Sequence, residues 1–295
     1  MARDLESADE INRQVERFLR AADAFGRFPT PVDDIVRTAQ LVEADDYVFD
    51  ESLIRAAPLA MRRLLRSARS KIQGLVDRRA RVIHVAPAIE NDGKRRFVKL
   101  HETVHHVLPH QAAMLYADDH ETLSPNTNVL FEREANQGAA ELLFQRDQFA
   151  KDAADLEISV ASVWHLRERY GSSFHAALRR YAEKHPDAVA AIVLDPTPLT
   201  QSPPTWRRHE FMATARWAKR FGEPRWPVRM TALAYPFLTA LDHSRLDAVT
   251  LCDIDGKPCT VHVDKCVTPY ASFILLWEAP VRRLRRLQQV ELVSG

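Results

Sequence analysis

From Ala8 to Ala24 the apolar residues Ile11, Val15, Phe18, Leu19 and Ala22 recur at helical spacing, and Asp9 and Glu10 open the run where the helix dipole favours acids. The pattern predicts an amphipathic helix. Phe28-Pro29-Thr30-Pro31 interrupts it, with Thr30 placed to cap and Pro31 to start a second helix through Ile35, Ala39 and Val42. A third helix is expected over about 52–70, bent near Pro58. The period changes at Lys71: Ile72, Leu75 and Val76, the polar stretch Asp77-Arg78-Arg79, then Arg81-Val82-Ile83-His84-Val85 predict a two-stranded hairpin. After the polar turn 90–94, helical spacing returns at Phe97, Leu100, Val104 and Leu108 and stops near Pro109. A second polar stretch, 118–128, leads into another helical run from Val129 to about Phe149.

Past Asp152 the chain reads as short helices around the turn Tyr170-Gly171-Ser172-Ser173, a helix-turn-helix arrangement over 166–181. From Ala188 the pattern becomes strand-like. Ala190 to Leu194 is a continuous apolar run, a loop with Pro196, Pro198, Pro203 and Pro204 follows as a candidate linker, and two runs flank the turn Asp255-Gly256. Ser272 to Trp277 reads as a buried strand, and Val281, Leu284, Leu287 and Val290 form a stripe interleaved with Arg282, Arg283, Arg285 and Arg286. The expected fold class is α+β, in three parts: 1–150, a helical segment 151–186, and a mixed α/β region 187–295.

Composition narrows function by exclusion. With 41 Lys plus Arg against 40 Asp plus Glu, no global field recruits nucleic acid or an anionic membrane. The first residues lack the basic-then-apolar order of a secretory signal, and no apolar run is long enough to span a bilayer, so the expected compartment is the cytoplasm. Cys252, Cys259 and Cys266 are separated by six-residue gaps rather than set in a CxxC clasp, which points to free thiols before any site with His262.

The chemistry concentrates on His101-Glu102-Thr103-Val104-His105. Two histidines four apart share a helix face and supply two ligands to one zinc ion per chain, while the Glu between them faces the open coordination position as general base. A third ligand is needed, and Glu132 on the downstream helix supplies it. Asn136, one turn on, shares that face and is expected to bond the outer nitrogen of a ligand histidine; Glu134 should point away. His106 and His110, next to Pro109, read as solvated or supporting residues.

The stretch from Arg96 to His105, followed by Glu132-Arg133-Glu134-Ala135-Asn136-Gln137-Gly138-Ala139-Ala140-Glu141-Leu142-Leu143, resembles the ImmA/IrrE metallopeptidases. The resemblance covers about Phe28 to Leu143 and continues weakly over 166–173. It implies a zincin-like fold, zinc held by His101, His105 and Glu132, Glu102 as catalytic base, and as substrate a helix-turn-helix repressor whose cleavage derepresses genes. Members often carry Met-Pro after the Leu-Leu pair, where this chain has Phe144-Gln145. In such a layout Arg81, Val82, Ile83, His84 and Val85 are expected to form an edge strand that pairs with an extended substrate.

Two functions from different classes follow. The first is a zinc endopeptidase acting on a DNA-binding repressor. The second is a metal-dependent regulator that binds DNA or a protein partner without cutting it, through its helix-turn-helix and C-terminal parts; Arg167, Arg169, Arg179 and Arg180 offer phosphate contacts, although Glu168 and Glu183 dilute that charge and favour a helical pair packed on the core.

Overall fold

The computed structural model describes residues 7–44, 74–111, 125–222, 226–239 and 245–278. The helix expected over 52–70 and the basic stripe over 281–290 lie outside these residues. The chain divides into two units, Met1–Pro186 and Asp187–Gly295.

In the first unit, α1 (Ala8–Ala21) buries Ile11, Val15, Phe18 and Leu19, the stripe its periodicity predicts. Helix α2 (Val32–Thr38) starts one residue later than expected and Thr30 does not cap it. Instead the buried Thr30 hydroxyl donates to the Leu143 carbonyl at 2.7 Å, satisfying an end of a distant helix. Strands β1 (Val42–Glu43), β2 (Gly74–Asp77) and β3 (Val82–Val85) form a sheet in the order β1-β3-β2. The hairpin is as expected, β2 antiparallel to β3 with Val76 opposite Ile83. The edge position expected for Arg81 to Val85 is not: β3 is central, paired in parallel with β1 and antiparallel with β2, and Arg81 precedes it at φ 58°. Among the described residues the free edges belong to β1 and β2.

Helix α3 (Asp92–Val107) begins at Asn91, whose side chain accepts from the Lys94 N–H at 2.9 Å. It buries Val98, Leu100 and Val104 and ends before Pro109. Helix α4 (Pro125–Leu143) packs along it; a Cβ on Gly138 would lie 2.8 Å from both Val104 methyls, so the two backbones approach only because residue 138 has no side chain. The helical run expected to continue to Phe149 breaks at 144–147, where Gln145 and Arg146 take positive φ (48° and 57°). Gln145 offsets that conformation with bonds to the Gly26 N–H, the Arg27 carbonyl and the Thr30 hydroxyl.

Helices α5 (Gln148–Ala154), α6 (Val160–Tyr170) and α7 (Phe174–Lys184) complete the unit. Gly171, at φ 66°, ends α6, and Ser173 caps α7 by accepting from the Ala176 N–H. The helix-turn-helix is therefore real as a shape, but its inner faces are spent on packing. Tyr170 meets Phe144 and Phe149 at ring separations of 5.8 and 5.2 Å, and Arg180, only 4% exposed, forks onto both oxygens of Glu141 at 2.7 and 2.8 Å. Burial works against the Glu141 charge, yet the Arg180 bonds hold its carboxyl below the usual range. Arg180 is thus not available to a phosphate, and Arg169 is engaged with Asp152 and the Phe28 ring.

The second unit is an antiparallel sheet, β5 (Thr200–Gln201), β6 (Pro204–Ala213), β4 (Val189–Leu194), β10 (Ser272–Glu278), β9 (Pro258–Val267) and β8 (Arg245–Cys252) in spatial order, with β7 (Arg229–Thr231) beside β6. The continuous apolar runs of β4 and β10 are buried along their length and pair, Ile192 opposite Ile274. Helix α8 (Ala215–Phe221) adds the fully buried Trp217 to this core. The proline-rich loop after Leu194 lies within this unit and carries β5, so it is not a linker. Asp253 shapes the 253–257 turn by accepting from the Asp255 and Lys257 N–H groups, with Gly256 at φ 79°. The three cysteines are free, Cys259 and Cys266 buried, and His262 packs on Trp277 with ring centroids 5.3 Å apart.

Candidate metal centre

Helical spacing puts His101 and His105 on one face of α3, each side chain 14% exposed, and α4 presents Glu132 opposite them, 62% exposed. The ligand atoms of the three residues all lie within 4.8 Å of one another, and among the described residues no other His, Cys, Asp or Glu group does this. The three separations are 3.0 Å between the two Nε2 atoms, 3.3 Å from His101 Nε2 to Glu132 Oε2, and 3.5 Å from His105 Nε2 to Glu132 Oε1. Tetrahedral bonds of about 2.0–2.2 Å require ligand separations of about 3.3–3.6 Å. The two separations to Glu132 fall in that range and the Nε2–Nε2 separation is shorter, so the donor set suits a zinc-sized divalent ion once the two imidazoles spread slightly. The exposed carboxylate leaves one side of the site open to solvent.

Electrostatics agree with that geometry. Hydrogen bonds from His101 and His105 hold the Glu132 carboxyl far below its ordinary range, so it is an anion facing two imidazoles. For His105, burial pulls the pKa down, but the bonds to Glu132 and Gln111 outweigh it and the balance is upward. Glu102 lies on the buried flank of α3, 8% exposed, where burial above all pushes its pKa up while the two histidines and the Val76 N–H act in the opposite direction. Gly74 of β2 closes over it: a Cβ there would lie 2.8 Å from Glu102 Oε1. The base candidate is thus clamped between the metal helix and the sheet's outer strand.

Asn136 does not do the work expected of it. It is exposed and bonds neither histidine, whereas the Nδ1 of His105 lies 2.7 Å from Gln111 Oε1. Glu134 does turn away from the ligand set, but into the interior: it is 1% exposed and bonds Gln111 at 2.6 Å, His110 at 2.7 Å and the Ser7 hydroxyl. His110 is therefore a supporting residue of this network. His106 instead lies nearer Arg78 and Arg81, and burial chiefly lowers its pKa. Arg78, in the β2–β3 turn, donates to the carbonyls of His105 and Gln111, tying the hairpin to the end of α3. Gln111 escaped the sequence reading because it follows Pro109, beyond the end of the periodic pattern; its only sequence signal is an amide six residues after a ligand histidine.

A histidine-histidine-glutamate group on two packed helices beside a small sheet could hold a metal ion, an arrangement of the kind a metallopeptidase domain would use. The sequence carries the same assignment: residues 60–181 match the family model of the IrrE N-terminal-like domain, peptidase M78, and this segment is a domain of the ImmA/IrrE family. Among solved structures, a Mycobacterium tuberculosis transcriptional regulator is similar at a TM-score of 0.54 and 13% identity, over 91% of this chain and 87% of that one; at this identity the likeness is one of fold. No curated protein sequence matches significantly. No helix among the described residues is long and apolar enough to cross a membrane.

Proposed function

We propose that the first unit is a zincin-like, zinc-dependent endopeptidase that hydrolyses a peptide bond in a specific regulatory protein, a helix-turn-helix repressor, and so derepresses genes. The observation that carries this reading is the convergence of the His101, His105 and Glu132 ligand atoms within 4.8 Å of one another, with a buried carboxylate, Glu102, on the helix turn between the histidines. Zinc held there would polarise the scissile carbonyl and supply hydroxide near neutral pH. Glu102 takes the proton from the attacking water and returns it to the leaving amine. The Val76 N–H steadies the Glu102 carboxylate. The edge of β2, which borders Glu102 and is free among the described residues, offers backbone groups to an extended substrate; this assigns to β2 the part expected of β3. The second unit recruits or regulates, and the cytoplasm is the compartment in which a repressor would be met.

The experiment compares zinc content and repressor cleavage for the wild type, Glu102→Gln and Glu132→Ala. Glu102→Gln keeps its metal and loses cleavage; Glu132→Ala loses metal. A Glu102→Gln variant cleaving at the wild-type rate removes Glu102 as base. A repressor left intact by wild-type protein in a stable complex replaces hydrolysis with binding.

A further inference from the structure

Gln111 is fully buried, and its amide is committed at both ends. One end faces two groups: a Glu134 oxygen at 2.6 Å and the Phe131 backbone carbonyl at 3.4 Å. A backbone carbonyl only accepts, so the amide atom between them is the NH2 group and the opposite atom is the oxygen. That oxygen lies 2.7 Å from His105 Nδ1. An oxygen without hydrogens accepts, so His105 carries a proton on Nδ1, and in the neutral ring this places the lone pair on Nε2. Nε2 is the atom that faces His101 and Glu132. Glu134 is itself held by His110 and Ser7, so the amide's orientation is fixed by a buried chain of groups rather than by one contact.

We propose that Gln111 is a positioning residue of the metal centre: it fixes His105 in the Nδ1–H tautomer and aims the Nε2 lone pair at the ion, with Glu134 and the Phe131 carbonyl setting the orientation of its amide. The proposal rests on the reading of His101, His105 and Glu132 as ligands. No side chain among the described residues bonds His101 in the same way, so the orienting work falls on one histidine.

The first measurement is a long-range proton–nitrogen correlation on the metal-free full chain labelled with nitrogen-15 histidine, at a pH well above ordinary histidine titration. His105 is expected to show a protonated Nδ1 and a bare Nε2; the reverse tautomer in the wild type overturns the proposal. The second is zinc affinity by chelator competition for the wild type, Gln111→Met and Gln111→Glu with Glu134→Gln. Methionine fills the space without accepting a bond, and affinity should fall about 10–100-fold. Glutamate keeps the accepting oxygen but meets the Glu134 carboxylate at 2.6 Å, so it is combined with Glu134→Gln, and this double variant should stay within a few-fold of wild type, a rescue that a merely space-filling role would not produce. Equal loss in both variants, or none in a folded Gln111→Met, overturns the proposal alone. A wild type that takes up no zinc overturns the ligand reading and this proposal with it. Should Gln111→Met fail to fold, the wild-type tautomer still decides.

Discussion

Replacing Gly138 by alanine tests whether the approach of the two ligand-bearing helices sets the metal geometry. The new Cβ would meet Val104 Cγ1 and Cγ2 at 2.8 Å each, whereas carbon atoms in contact settle about 3.5–4.0 Å apart. Val104 is 2% exposed, and because both its methyls face the intruder, rotation about its stiff χ1 does not clear the space. The relief must come from a parting of α3 and α4 by roughly 0.7–1 Å. Overpacking of this kind costs about 1–3 kcal/mol, and the gain from replacing a helical glycine offsets about 1 kcal/mol of it. Net destabilisation should therefore be modest, ~0–2 kcal/mol. The larger effect falls on the site: Glu132 belongs to the displaced helix and both histidines to the other, so separations of 3.3 and 3.5 Å widen and zinc affinity drops more than stability does. Chelator competition and thermal unfolding read the two quantities separately. Adding Val104→Ala restores affinity, since the alanine Cβ left at 104 lies 3.4 Å from the one at 138. A Gly138→Ala protein that binds zinc as the wild type does and melts higher refutes the reasoning.

Three further outcomes are expected. Glu141→Gln leaves the buried Arg180 without its anion and should destabilise the first unit by about 3–5 kcal/mol in urea titration. Because the folded-state pKa of Glu141 is depressed below 4.5, its contribution is present above that pH and is lost as pH falls through the lowered value, so wild type and variant should converge in acid. Gly93→Ala drives a Cβ to 2.2 Å from the Ser172 backbone carbon, which no side-chain rotation relieves; soluble yield and melting temperature should both fall, with a cost at or above ~3 kcal/mol. Gly74→Ala crowds Glu102 Oε1 and Val98 without touching a ligand, so cleavage rate should drop at unchanged zinc content; an unchanged rate would show that Glu102 moves freely.

Local pattern carried the elements whose signal is local. The stripe of α1, the hairpin, the helix bearing His101 and His105, and the apolar runs of β4 and β10 were all legible, because burial on one face or both writes a period into the chain. Glu132 was legible through helix spacing. What the sequence hid was long-range or conformationally unusual. The parallel pairing of β1 with β3 joins Val42 to Val82 across 39 intervening residues and leaves no local mark, which is why β3 read as an edge. Positive φ at Gln145 and Arg146 broke an expected helix where neither residue type advertises a turn. Gln111 reaches its histidine across a proline, so helical spacing pointed to Asn136 instead.

Because the candidate ligands are divided between α3 and α4, an ion bound there is also a cross-link between residues 101 and 132. Anything that binds only the folded arrangement stabilises it by mass action, about 2.7 kcal/mol when free metal stands at a hundred times its dissociation constant. Removal of the ion would then lower the melting temperature of the first unit as well as empty its site.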